Sequence, residues 1–195
     1  MKPYQYLDTK LSSYRERNYG TASLFIIGAL AFLAVALVGV LLSDLIVYPF
    51  NMAVVTMYTA MFWLMDATNN SGPVIAAAIF LKNFLAVSVC VLLARQTRGI
   101  SLLLIILVNG LMIGSVLTAL DVSLSYKFFG IMTHGIFEFT AVFLGIAYGV
   151  QLMLLPQAQH RKIKMKLLYI IAPLLIAAAY VEFYVTPIVL AKIRG

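Results

Sequence analysis

The sequence predicts an all-α membrane protein: a polytopic transmembrane helix bundle of about five spans, with one further interfacial or re-entrant helical segment. Three observations predict it. Of 195 residues, 63% are hydrophobic and 11% charged, where a soluble domain carries nearly a quarter charged residues, and the mean hydropathy is +1.00. The apolar residues run in uncharged stretches of ~20, the length that crosses a hydrocarbon layer about 30 Å thick. Almost all of the 14 Lys and Arg fall in the short segments between those stretches. That pattern orients membrane helices; it is not a nucleic-acid surface, so the net charge of +7 points to the lipid bilayer as partner and excludes nucleic acid. The length suits a single membrane domain, 1–195, with little left for a soluble one.

Residues 1–21 are polar and basic, with Lys2, Lys10, Arg15 and Arg17, and Tyr4, Tyr6, Tyr14 and Tyr19 suit an amphipathic stretch among the headgroups on the cytoplasmic side. Residues 22–42 carry no charge, outrun the apolar core of a signal peptide and lack a convincing cleavage site, so they form a retained first span of a cytoplasmic-membrane protein. In 44–70 an apolar-leaning stretch from Phe50 to Met65 lies between Pro49 and the polar run from Asp66 to Pro73. It is short for a crossing and reads as interfacial or re-entrant. Trp63, Tyr48 and Tyr58 fit an interfacial belt there, and Asp66, like Asp121 further on, fits a solvated or capping role. Residues 74–94, 100–120, 128–155 and 167–190 are the remaining spans, separated by Arg95 to Gly99, Asp121 to Lys127 and Pro156 to Lys166.

The basic residues decide the count. With five spans, Lys2, Lys10, Arg15, Arg17, Arg95, Arg98, Arg161, Lys162, Lys164 and Lys166 all lie inside, against Lys127, Lys192 and Arg194 outside. A crossing by Phe50 to Met65 would invert everything after it and abolish that bias. Cys90 stands alone in an apolar run, so there is neither a disulfide framework nor a thiolate cluster. Gly110 with Gly114, and Gly145 with Gly149, have the small-xxx-small spacing that lets helices approach closely.

Inside the spans a few polar residues stand out, because an ionisable side chain at bilayer depth costs about 2.5–3.5 kcal/mol even on insertion scales. His134 and Glu138 are four residues apart, on one helix face. At ~1.5 Å per helical residue, Lys82 and Asn83, Asn109, His134 with Glu138, and Glu182 all fall roughly 9–17 Å below the outer surface. Glu182 lies between Pro173 and Pro187, either of which can loosen its helix toward a cavity.

Thr133-His134-Gly135-Ile136-Phe137-Glu138, followed by Val181-Glu182 through Pro187, resembles the stage II sporulation protein M family, with its histidine-glycine-x-x-glutamate helix and later glutamate-x-x-x-x-proline helix. Phe80 to Phe84 is similar to its asparagine-bearing second span and Asn109 to Gly114 to its asparagine-glycine-rich third. The resemblance covers roughly Pro73 to Pro187. It departs at Lys82, where members often carry a second asparagine, and in 44–70, which is unusually apolar here. It implies a membrane protein of a peptidoglycan-remodelling complex during engulfment, or one encoded with circular bacteriocins for maturation, export or immunity.

Three chemistries remain open for the polar layer. His134, Glu138 and Glu182 offer one nitrogen and two carboxylates to a divalent metal, with zinc the best match. That would leave a position for the water of a hydrolase, a peptidase or peptide-maturation enzyme acting near the outer leaflet. Glu138 would then also serve as base, Lys82 would stabilise an oxyanion, and Asn83 and Asn109 would position substrate or water. Alternatively Lys82 pairs with one glutamate in a purely structural network, within a non-enzymatic component of a membrane complex or a homo-oligomer. The third reading is a proton- or ion-coupled transport component. Lys82 can balance only one of the two carboxylates, and the remaining negative charge would be resolved by a dication, a proton or a substrate cation.

Overall fold

In hydrocarbon a backbone can satisfy its N–H and C=O groups only within a helix or a closed barrel. Among the described residues the uncharged stretches take the first course. The computed structural model describes residues 20–43, 45, 71–119 and 122–194. Most of the expected N-terminal amphipathic stretch and of 44–70 lies outside them, as does Asp121. Among the described residues there is no strand. The helices are α1 (Thr21–Leu41), α2 (Gly72–Leu93), α3 (Ile100–Ala119), α4 (Leu124–Leu154), α5 (Gln157–Lys166), α6 (Ala172–Tyr180) and α7 (Thr186–Arg194). The last three are joined end to end by π-helical turns, Leu167–Ile171 and Val181–Val185. α1, α2, α4 and the joined rod, Gln157–Ile193, are long and apolar enough to cross a membrane. α3 is apolar over a shorter length, Ile100–Ser115, and is not among those four.

Two boundaries differ from the sequence reading. α4 starts at Leu124, not at 128, because Ser123 caps it, its side chain accepting the Tyr126 N–H at 3.3 Å. The early start brings Lys127 to the end of α3, where its ammonium donates to the Leu117 carbonyl at 2.8 Å. The second difference is larger: Pro156 to Lys166, expected as a connecting basic loop, is helical from Gln157 onward. Pro156 sits in extended conformation at the N-cap, a position where its missing N–H costs nothing. Density of charge hid an amphipathic pattern in which Ile163 is buried while Arg161, Lys162 and Lys164 stay exposed.

The π turns have a common cause. Pro173 and Pro187 each stand two residues beyond the end of one. A proline inside a helix lacks its N–H and crowds the carbonyl four residues back, and a widened turn relieves the clash. The N–H of Ala172 then bonds to the Leu167 carbonyl, and that of Thr186 to the Val181 carbonyl, each five residues back.

α4 is the central helix, touching every other one, while α1 packs chiefly on α3. Glycine makes the α1–α3 contact possible: a Cβ on Gly114 would run into the backbone of Ala36 and Val40, and one on Gly39 would come within 2.8 Å of the Leu111 carbonyl oxygen. On α4, Gly145 receives Val87 of α2 and Gly149 receives Leu102 of α3. Both glycine pairs therefore serve close packing, as their spacing implies. Phe32, Val91, Ile105, Ile146, Ile171 and Leu175 belong to the core between the helices. Leu30, Leu33 and Leu37 on α1, Leu85 on α2, Leu103 and Leu104 on α3, and Leu168, Tyr169 and Ile176 on the rod are exposed. A soluble monomer does not tolerate apolar surface on this scale; a lipid-facing belt requires it.

Candidate metal centre

α4 begins at Leu124, so His134 and Glu138 lie about 15 and 21 Å along it, well inside a span. Their i,i+4 spacing stacks them on one face. Glu182 arrives from the rod as the second residue of the π turn Val181–Val185. The wide turn matters for its aim, because one extra residue in a turn rotates the downstream side chains by about 100° relative to a regular α-helix. One ligand atom from each of His134, Glu138 and Glu182 lies within 4.8 Å of the others, and all three side chains are half-buried. The structure thus brings together the three residues singled out as a metal set.

Thr186, the first residue of α7, is a further member of the site. Its hydroxyl donates to the Val181 carbonyl at 3.1 Å, and the same oxygen stands 3.4 Å from Nδ1 of His134. Thr186 is buried at 8% exposure. Sequence reasoning missed it because a threonine in an apolar helix ordinarily bonds back to its own helix. The signal was its place directly before Pro187, four residues beyond Glu182.

Lys82, on α2, is exposed, and its ammonium acts electrostatically on His134, Glu138 and Glu182 alike. The start of α2 packs against the π turn that carries Glu182: a Cβ on Gly72 would meet the Tyr184 hydroxyl and the Phe183 ring. Asn83 is buried at 8% exposure on the stripe that includes Ile75, Ile79 and Val87. Asn109 is placed differently. Its amide donates to the Ile105 carbonyl of its own helix at 2.8 Å, and α3 packs chiefly on α1. Among the described residues no hydrogen bond joins it to His134, Glu138 or Glu182.

Fold and site together define a polytopic α-helical integral membrane protein whose spans enclose a histidine–dicarboxylate cluster. The sequence profile of the family described as Stage II sporulation protein M matches residues 21–187, and the chain belongs to that family. No curated protein and no solved structure matches it. The matched range contains His134, Glu138 and Glu182 together with Lys82, Asn83, Asn109 and Thr186.

Proposed function

We propose that His134, Glu138 and Glu182 hold one divalent metal ion, zinc, at the centre of an intramembrane hydrolase that cleaves or matures a peptide near the outer leaflet. The observation that carries this reading is the convergence of one imidazole and two carboxylates to within 4.8 Å of one another. Zinc–ligand bonds of about 2.0–2.2 Å put tetrahedral ligand atoms about 3.4 Å apart, so the side chains need close only by small rotations. Three protein ligands leave one position for water, and bound zinc lowers that water's pKa to about 7 and polarises a carbonyl. A hard cation such as calcium would want six or more oxygens.

The chain's own groups have defined tasks. The Thr186 hydroxyl has one proton, and giving it to the Val181 carbonyl leaves its oxygen to accept from Nδ1–H of His134. That tautomer frees Nε2 as the ligand and fixes the ring. Glu138 and Glu182 carry two negative charges that Lys82 cannot balance alone, and a dication would more than offset the one that remains. In turnover Lys82 stabilises the oxyanion developing on the substrate carbonyl, a carboxylate oxygen not engaged with metal takes the water proton, and Asn83 orients substrate or water. One observation favours the non-enzymatic reading: the electrostatic influence of the exposed Lys82 on all three residues also suits an ionic network that holds the helices of a complex in register.

Metal content separates the two. Full-length protein purified without chelators should carry about one equivalent of zinc by elemental analysis, and His134→Ala, Glu138→Ala and Glu182→Ala should each lose nearly all of it while still folding. Ligands acting as one unit give losses that do not add. Less than about a tenth of an equivalent in well-folded wild type sinks the metal reading and leaves the network.

A further inference from the structure

About 20 Å along α4 from Glu138, at the other end of the bundle, α1 begins, α4 ends and the rod begins. A cavity of about 450 Å³ opens there, lined by Thr21 of α1, Gln151 of α4 and Gln159, Lys162, Ile163 and Lys166 of α5. The volume lies within the range of small-molecule sites, about 300–1,000 Å³. Gln159, Lys162, Ile163 and Lys166 recur at helix spacing, so a single face of α5 forms one wall. That wall carries two positive charges, and no carboxylate lines the cavity among the described residues. The acidic residues that the described structure contains, Glu138 and Glu182, are both committed to the metal centre.

The polar groups of this cavity are held in place. Lys166 sits over the ring of Tyr148, its Nζ 5.0 Å from the centroid. Gln151, 7% exposed, donates its amide to the Thr21 hydroxyl oxygen at 3.1 Å. Thr21 therefore keeps its own proton to donate. Gly20, at the N-cap of α1, makes no side-chain cap among the described residues, and it borders the cavity together with Thr21. Donors and cations thus converge on a space that no carboxylate lines among the described residues. Just beyond it the lipid-facing belt starts, with Ile26 and Ile27 on α1 and Leu168 and Tyr169 on the rod all exposed.

We infer that this cavity binds a phosphate-bearing group at the membrane interface, through Lys162, Lys166, Thr21 and Gln151. The site is independent of the metal centre. Two sources share that chemistry, the headgroup of an anionic phospholipid and free phosphate, and two arms of one experiment distinguish them. In the first, full-length protein in nanodiscs of mixed phosphatidylglycerol and phosphatidylcholine is released for native mass spectrometry, and the retained lipid is identified. In the second, thermal unfolding in phosphatidylcholine nanodiscs is followed against inorganic phosphate. Each lysine is worth roughly fivefold in affinity for an anionic surface group, so Lys162→Gln with Lys166→Gln should weaken retention about thirtyfold. Lys166→Arg, which keeps charge and ring contact, should retain it. Arg161→Gln with Lys164→Gln changes exposed residues that do not line the cavity and serves as the charge-matched control. Selective retention of phosphatidylglycerol lost only in the cavity variant assigns a lipid headgroup, and stabilisation by phosphate lost only in that variant assigns free phosphate. Equal losses in the cavity and control variants, or neither selectivity nor stabilisation in wild type, overturn the site.

Discussion

Replacing Thr186 with valine keeps the shape of the side chain and removes one hydroxyl, which makes it the sharpest probe of the cluster. The Val181 carbonyl would still hold the backbone N–H of residue 186, so the π turn survives. His134 would lose the acceptor at 3.4 Å from Nδ1. Losing such a partner of a ligating histidine typically costs 10–100-fold in metal affinity. Zinc competition against a chelator should show that loss in Thr186→Val and its recovery in Thr186→Ser, with unchanged melting of metal-free protein. An equal loss of folded yield in Thr186→Val would make the residue structural only. The clustering of His134, Glu138 and Glu182 was legible from sequence because charge inside a span is costly enough to mark itself. Thr186 was not, since its hydroxyl looks the same whether it serves its own helix or another.

At the scale of the element, the second π turn is the device that carries Glu182 to α4. Pro187→Ala restores a backbone donor toward the Phe183 carbonyl and removes the ring that crowds it, so a regular α-helical turn becomes available. The carboxylate of Glu182 should then swing off the cluster, lowering zinc occupancy severalfold with little change in folded yield. Pro173→Ala, acting on the first π turn, should leave occupancy intact. Circular dichroism and elemental analysis of the two variants side by side check the pair, and equal occupancy in both refutes a role for the second turn in aiming Glu182. The prolines announced a loosened helix in the sequence, but the form of the loosening depends on the packing around each. Pro156 to Lys166 failed to read as helix for a related reason: with so many charges, the single buried contact of Ile163 is too faint a periodic signal.

For the whole molecule, the helical bundle was legible because every uncharged stretch has the same physical solution in lipid. Topology is a parity question, and α3, apolar over a shorter length than the four candidate spans, controls it. We expect the N-terminus inside and 44–70 outside. In a Cys90→Ala background, cysteines at Asn69 and Gln157 should be labelled from opposite faces of intact cells, because α2, α3 and α4 lie between them. Labelling from one face would remove α3 from the count of crossings.

The glycine contact between α1 and α3 has a consequence in time. Among the described helices α1 finds its principal neighbour not in the next one but in the one after, so its Gly39 face waits in the bilayer while 42–119 are synthesised, about 4–16 s at roughly 5–20 residues per second. A photocrosslinker at Val35, which lies against Gly110, should capture α3 in ribosome-bound chains as soon as α3 emerges; capture only after α4 has been made would mean that the central helix templates the pair. Either way His134 and Glu138 enter the membrane before Glu182 exists, and the cluster closes only when the rod comes to rest. Assembly of the scaffold and completion of the site are separate events, so a chain stalled between them would be inserted, helical and inert.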